Sequence, residues 1–139
     1  MSGVRVAIVD GPIRPGASLL DRADRDADGS VGSRIRFEGV VRRLEDGRPL
    51  EAIEYEVYEP MASRQLEAIA REESTREGIL GIEAIHSRGR VAVGEVSFVC
   101  EVRSRHRAEG LAALASFIER LKRDAAIWKR PVFREARDG

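Results

Sequence analysis

Between residues 90 and 122 the apolar residues change period, and that change limits the folds open to this chain. Val96, Phe98, Cys100 and Val102 fall two apart, the period of a strand with one buried face. From Leu111 the spacing turns helical: Leu111, Leu114, Ala115, Ile118 and Leu121 share one side of a helix over residues 107–122. The same change occurs earlier. Ile53, Tyr55 and Val57 alternate with Glu54, Glu56 and Tyr58 in a half-exposed strand over residues 50–58. Pro60 then opens a helix reaching about residue 76, with Met61, Leu66, Ile69 and Ala70 on its buried side and Gly78 ending it. Strands and helices interleave without the regular strand–helix–strand repeat of a parallel sheet. The pattern predicts an α+β fold with a mostly antiparallel sheet.

The remaining elements fit that class. Residues 4–9 have the composition of a short strand, closed by Asp10-Gly11-Pro12, and a brief helix is expected over residues 18–25. Residues 24–33 form a polar, glycine-containing break. Residues 34–43 predict a second strand, with Gly39 inside it marking a bulge or a close backbone approach. The Glu45-Asp46-Gly47 turn leads into the 50–58 strand, so these two are expected to pair as a hairpin. Strands over residues 79–87 and 90–103 are separated at Gly89, with a further turn at Val93-Gly94-Glu95. At 139 residues, with no internal repeat or linker, one domain over residues 1–139 is expected.

Charge and composition remove several function classes. Lys+Arg and Asp+Glu both number 24, and a neutral chain argues against a dedicated nucleic-acid binder. No apolar run approaches a membrane span and the first residues do not form a signal peptide, so a soluble, cytoplasmic protein is expected. The single cysteine, Cys100, excludes an internal disulfide framework and a Cys-based zinc site. Its register with Phe98 and Val102 makes it a buried structural thiol. Two histidines exclude a His-rich metal site. Asp24, Asp26, Asp28 and Gly29 copy the opening of an EF-hand loop, but Ile35 stands where that loop needs its bidentate glutamate. That stretch is a solvated acidic turn, and neither metal nor cofactor is expected. Glu72 and Glu73 are assigned to the solvent face of their helix.

Positive charge is distributed unevenly by type. Only Lys122 and Lys129 are lysines; every other cation is arginine. Arg stays protonated, whereas a Lys amine can lose its proton when buried or crowded by cations, which suits nucleophilic or acid–base work. If the helix continues, the seven residues between them span nearly two turns, about 10 Å. If it ends near Asp124, Lys129 lies on a following strand and only the tertiary fold brings the amines together. His106-Arg107 stands at a strand-to-helix junction, where free backbone N–H groups and the helix dipole favour an anion. Arg42-Arg43 ends the strand that carries Gly39.

Taken in order, these segments resemble one family. Phe37-Glu38-Gly39-Val40-Val41-Arg42, Glu54-Tyr55-Glu56, Tyr58-Glu59-Pro60-Met61-Ala62, His86 to Gly89, Val93-Gly94-Glu95, Ser104-Arg105-His106-Arg107, Leu121-Lys122 and Ile127-Trp128-Lys129-Arg130 resemble the large, catalytic subunit of molybdopterin synthase. The likeness covers about residues 31–130. It implies an α/β hammerhead-type core with an additional antiparallel β subdomain. It also implies a homodimer within a heterotetramer, each end binding a small ubiquitin-like sulfur-carrier subunit supplied as a separate chain. The carrier's Gly-Gly thiocarboxylate would give its sulfur to cyclic pyranopterin monophosphate, forming the molybdopterin dithiolene in molybdenum cofactor biosynthesis.

Lys122 and Lys129 match the family's two essential lysines, and Arg42, His106 and Arg107 its anion-binding residues, with Arg130 joining that pocket. In a dimer some of these groups would serve substrate held mainly by the other protomer. The chain departs from the family pattern at Ser87-Arg88, at Gly110-Leu111, at Pro131 and in its short tail. A non-catalytic, dimeric anion- or carrier-binding module of the same fold is the alternative. An unrelated phosphate-binding regulator is a third reading.

Overall fold

The computed structural model describes residues 3–19 and 28–135. Among these residues seven strands and two helices follow in the order β1 (Gly3–Asp10), β2 (Ser33–Val40), β3 (Leu44–Glu45), β4 (Arg48–Val57), α1 (Met61–Ser74), β5 (Ile79–Ala92), β6 (Val96–Ser104), α2 (Arg107–Asp124) and β7 (Ile127–Phe133). The sheet runs β2-β6-β5-β4-β3, with β1 added to β5 and β7 to β4. Among the described strands only the β1–β5 pairing is parallel. The α+β class follows from these pairings, as the interleaved periods predict.

Both helices lie on one face of the main sheet. Leu66, Ile69 and Ala70 of α1 and Ala113, Leu114, Phe117 and Leu121 of α2 pack on Ile82, Ala84, Phe98, Cys100 and Val102. Each large side chain buried there contributes roughly 1.5–3 kcal/mol. The opposite face carries a smaller cluster of Ile13, Ile85 and Val99. A third cluster, Val41, Leu50, Ile53, Tyr55 and Val91, fills the region built by β4, β7 and the end of β5. This is the core plus added antiparallel region that the family resemblance implies.

Six expectations change. Residues 34–43 and 50–58 do not pair with each other. β2 pairs only with β6, and the hairpin is instead the short β3–β4 pair. Partner choice is non-local: after the register shift at Gly39/Val40, the Val41 N–H donates to the Glu95 carbonyl (3.0 Å), so the end of β2 meets the turn between β5 and β6. Nor does Gly89 break a strand. It holds φ +86 inside β5, a conformation that costs glycine little. There β5 leaves β1 and β6 and continues against β4, and the reversal comes later, at residues 93–95.

The apolar stripe of α2 is rotated from its expected position. Gly110, Ala113, Leu114, Phe117 and Leu121 are buried, while Leu111 and Ala115 are exposed. Met61 is likewise exposed at the start of α1, where Ala62 turns inward, and Val96 packs with the opposite-face cluster. Gly110 has a steric reason: a Cβ there would stand 2.7 Å from Ser104 Oγ and 3.1 Å from Ile35 Cδ1, so its absence lets α2 settle onto β2 and β6. Finally, Glu73 is buried between the helices rather than solvated. Ser116 Oγ, Arg76 Nε and Arg120 Nη1 all donate to its carboxylate. Burial alone would raise its pKa, but those three donors together hold it below the ordinary glutamate value. The expected helix over residues 18–25 falls mostly outside the described residues.

Candidate active site

The end of β2, the loop after it, β4, β5, β6, the last turns of α2 and β7 enclose a cavity of about 670 Å³. Lys122 and Lys129 both line it, with Arg42. The two amines arrive on different elements. α2 stops at Asp124 because Ala125 takes an extended conformation (φ −80, ψ 142). The Ala126 N–H donates to Gln65 Oε1 (2.6 Å) and its carbonyl accepts from Tyr58 N–H (3.1 Å), so the turn is pinned against α1. β7 then returns antiparallel to β4 with Lys129 opposite Tyr55. Of the two possibilities left by the spacing of the lysines, the fold takes the strand.

Alternation along β7 also decides Arg130. Adjacent strand residues point to opposite faces, so Lys129 enters the cavity while Trp128 and Arg130 take the outer face. There Trp128 meets the Tyr58 ring edge-on at 4.7 Å, and Arg130 Nη1 lies 3.2 Å from Glu56 Oε1. Arg130 is therefore not in the cavity. Nor are His106 and Arg107, which stand at the exposed start of α2. The His106 N–H donates to Glu109 Oε2 (3.1 Å), and His106 Nδ1 lies 3.3 Å from Glu109 Oε1. Lys122 follows His106 by sixteen residues, roughly 24 Å along the helix. One chain brings together Lys122, Lys129 and Arg42, and leaves His106, Arg107 and Arg130 elsewhere.

Glu38 and Glu45 also line the cavity, yet among the described residues Arg42, Lys122 and Lys129 form no ion pair. Its inner wall is aromatic and neutral. Phe37, Tyr55, His86, Ser97 and Phe98 form it. Tyr55 Oη donates to Ser97 Oγ (2.9 Å), and burial raises the phenol's pKa, so it is a neutral donor at physiological pH. Burial is also the main cause that lowers the His86 pKa. The Ser87 carbonyl opposes it, and the Lys129 charge adds to the lowering. His86 is thus a neutral imidazole at pH 7.

Tyr55 and His86 are cavity residues that the sequence patterns did not single out. Both lie in segments that carry the family resemblance, and the fold marks them as cavity residues: His86 continues the Ile82, Ala84 face of β5 and stands opposite Phe98.

Other candidates resolve simply. Cys100 is fully buried in the main core, with its thiol pKa pushed up by burial, so it is a structural residue. Asp24 and Asp26 lie outside the described residues, and Asp28 accepts hydrogen bonds from Ser30. Ile35 packs against the main core. Among the described residues no group of His, Cys, Asp and Glu could hold a metal ion, and no helix is long and apolar enough to cross a membrane. A larger, open depression of about 1440 Å³ near Arg43, Arg48 and Phe133 contains neither lysine.

A small α+β protein with two strand-and-helix-borne amines in one cavity is the class that fold and geometry define. The family model described as "MoaE protein" matches residues 8–124, and the chain belongs to that family. A molybdopterin synthase catalytic subunit from Nostoc sp. strain PCC 7120 is 38% identical over 109 residues, 78% of this chain. The match spans 64% of the Nostoc protein, somewhat under two thirds of its length. Among solved structures, molybdopterin synthase from Staphylococcus aureus superposes with a TM-score of 0.77 at 28% identity, covering 93% of this chain and 91% of that one. A complex of subunits 1 and 2 of molybdopterin-converting factor from Helicobacter pylori 26695 shares the fold at a TM-score of 0.69 and 23% identity. That likeness covers 95% of this chain and 91% of that one.

Proposed function

We propose that this chain is the catalytic subunit of a molybdopterin synthase, a single-domain, cytoplasmic sulfurtransferase acting in molybdenum cofactor biosynthesis. The observation that carries the reading is the meeting of the chain's only two lysines, from α2 and β7, with Arg42 in one cavity. Its volume suits a small molecule, and cations without carboxylate partners suit an anionic one. The substrate is cyclic pyranopterin monophosphate. The sulfur arrives on the Gly-Gly thiocarboxylate of a small ubiquitin-like carrier, whose tail enters the same cavity. Lys122 and Lys129 orient the thiocarboxylate and move protons or stabilise charge as sulfur attacks, and Arg42 holds the phosphate. Membership of the MoaE family, the names of the relatives and the two-subunit Helicobacter complex support this assignment.

One distance supports the assembly that the family resemblance implies. His106 and Arg107 are roughly 24 Å along α2 from Lys122, too far to share one small substrate within a chain. A homodimer places this pair at the cavity of the second copy, and a carrier at each end completes a heterotetramer. The test mixes the protein with thiocarboxylated carrier and cyclic pyranopterin monophosphate and measures molybdopterin. Formation of product supports the reading; a stable carrier complex without product favours the binding module instead. Mixing His106→Ala with Lys129→Ala protein should restore part of the lost activity, because hybrid dimers contain one intact composite site. No restoration under subunit exchange would contradict the shared site.

A further inference from the structure

We propose that His86 is a positioning residue for Lys129, its neutral imidazole accepting an N–H of the lysine amine at Nε2. The proposal rests on the reading of Lys129 as a catalytic amine.

Five observations place the acceptor. β5 puts His86 on its core-facing side, only 6% exposed, where it lines the cavity that also receives Lys129. Nδ1 lies 2.7 Å from the Ser87 carbonyl oxygen. A carbonyl only accepts, so Nδ1 carries the hydrogen and the lone pair belongs to Nε2. The ring is held on two sides, edge-on to Tyr55 at 5.1 Å and tilted against Phe98 at 5.7 Å. Tyr55, in turn, is the register partner of Lys129 across β4 and β7. Among the described residues neither Nε2 nor the Lys129 amine has a hydrogen-bond partner of its own, so each is open to the other across the cavity they line.

The chemistry favours a neutral acceptor. Arg42, Lys122 and Lys129 already supply positive charge, and Glu38, Glu45 and the Tyr55 phenol complete the cavity's titratable groups. A carboxylate beside Lys129 would cancel the charge that binds an anion. An imidazole fixes the direction of the amine and leaves that charge in place. A phenylalanine at this position would satisfy the aromatic contacts equally well, so packing alone does not call for a nitrogen.

The experiment has two arms. In the first, ¹⁵N NMR of histidine-labelled protein is recorded for the wild type and for Lys129→Met, with His106→Asn identifying the second histidine. The Nδ1–H tautomer at pH 7 and an Nε2 resonance that moves in Lys129→Met are expected; an unmoved resonance overturns the proposal. This arm needs no turnover, so it stands even if the wild type makes no molybdopterin, a result that would sink only the assignment of function. In the second arm, His86→Phe is expected to lower kcat tenfold or more with KM within twofold, and His86→Gln, whose Oε1 can accept, to recover to within threefold of wild type. Full kcat in a folded His86→Phe protein would overturn the proposal.

Discussion

Helix α2 carries charge to two places and treats it in opposite ways. On the side facing α1, Arg120 and Ser116 meet a buried carboxylate, Glu73, which Arg76 also satisfies. Two turns of sequence cover both clusters, yet at the other one Lys122 points to a cavity where it, Lys129 and Arg42 form no ion pair among the described residues. The first arrangement spends its polar groups on each other and joins two helices. The second leaves cations available to a ligand. A charge whose partners are all inside the chain belongs to stability, and converging charges without partners belong to binding and chemistry.

That contrast can be broken in order of effect. Lys122→Ala and Lys129→Ala should each lower molybdopterin formation by at least about a hundredfold, the scale of a lost proton-transfer or charge-stabilising group. Both side chains are exposed, so thermal unfolding should shift by no more than about 0.5 kcal/mol. Glu73→Ala should do the reverse. It removes the shared acceptor of three donors and should cost about 2–3 kcal/mol in a denaturant melt, while kcat measured at low temperature stays near wild type. If Glu73→Ala abolishes turnover in folded protein, the two regions are not separate.

Gly110→Ala sharpens the structural side. Alanine is intrinsically better in a helix by about 1 kcal/mol, yet its Cβ would press on Ser104 and Ile35. A net loss of about 1–2 kcal/mol in the same melt is expected, and a gain would mean that α2 does not sit as closely on the sheet as described.

Acid then distinguishes the regions by window. The folded pKa of His86 is lowered below its ordinary 6.5, chiefly by burial, so the unfolded chain binds the extra proton first. Its effect on stability is absent above pH 6.5, and stability falls as pH drops below that value, by at most about 1.4 kcal/mol per pH unit. His86→Phe should flatten that slope. Glu73 has the same sign but a lower window: its stabilisation is present above pH 4.5 and is lost as pH falls through its depressed folded pKa. The smallest effect belongs to Arg130→Ala, whose exposed pair with Glu56 should be worth under about 1 kcal/mol, with activity within threefold of wild type.

Much of this architecture was legible because local period and burial agree. The alternation at Phe98, Cys100 and Val102, the irregularity at Gly39 and the turn at residues 93–95 all read correctly from neighbours in sequence. Features that depend on distant partners did not. Glu73 looks like any surface glutamate until Ser116 and Arg120, more than forty residues on, close around it. The same holds for β2, whose partner is β6 rather than the next strand. Gly89 reads as a break because a positive-φ glycine within a strand and one in a turn are the same letter.

The site divides along the same line. Two lone lysines were visible in composition, but their meeting depends on where α2 stops and β7 returns. Tyr55 and His86 were invisible as site residues, because each sits in a run whose pattern already explains it as core. Arg130 was placed in the pocket by likeness, whereas strand alternation sets it on the outer face.

The most direct test of the division between paired and unpaired charge is single-turnover molybdopterin formation by Lys129→Ala protein, measured beside its thermal melt. A melt that matches wild type with product reduced by about a hundredfold or more is the expected result. Product at the wild-type rate from that folded variant would contradict the account, because the unpaired amine on β7 would then have no part in the chemistry.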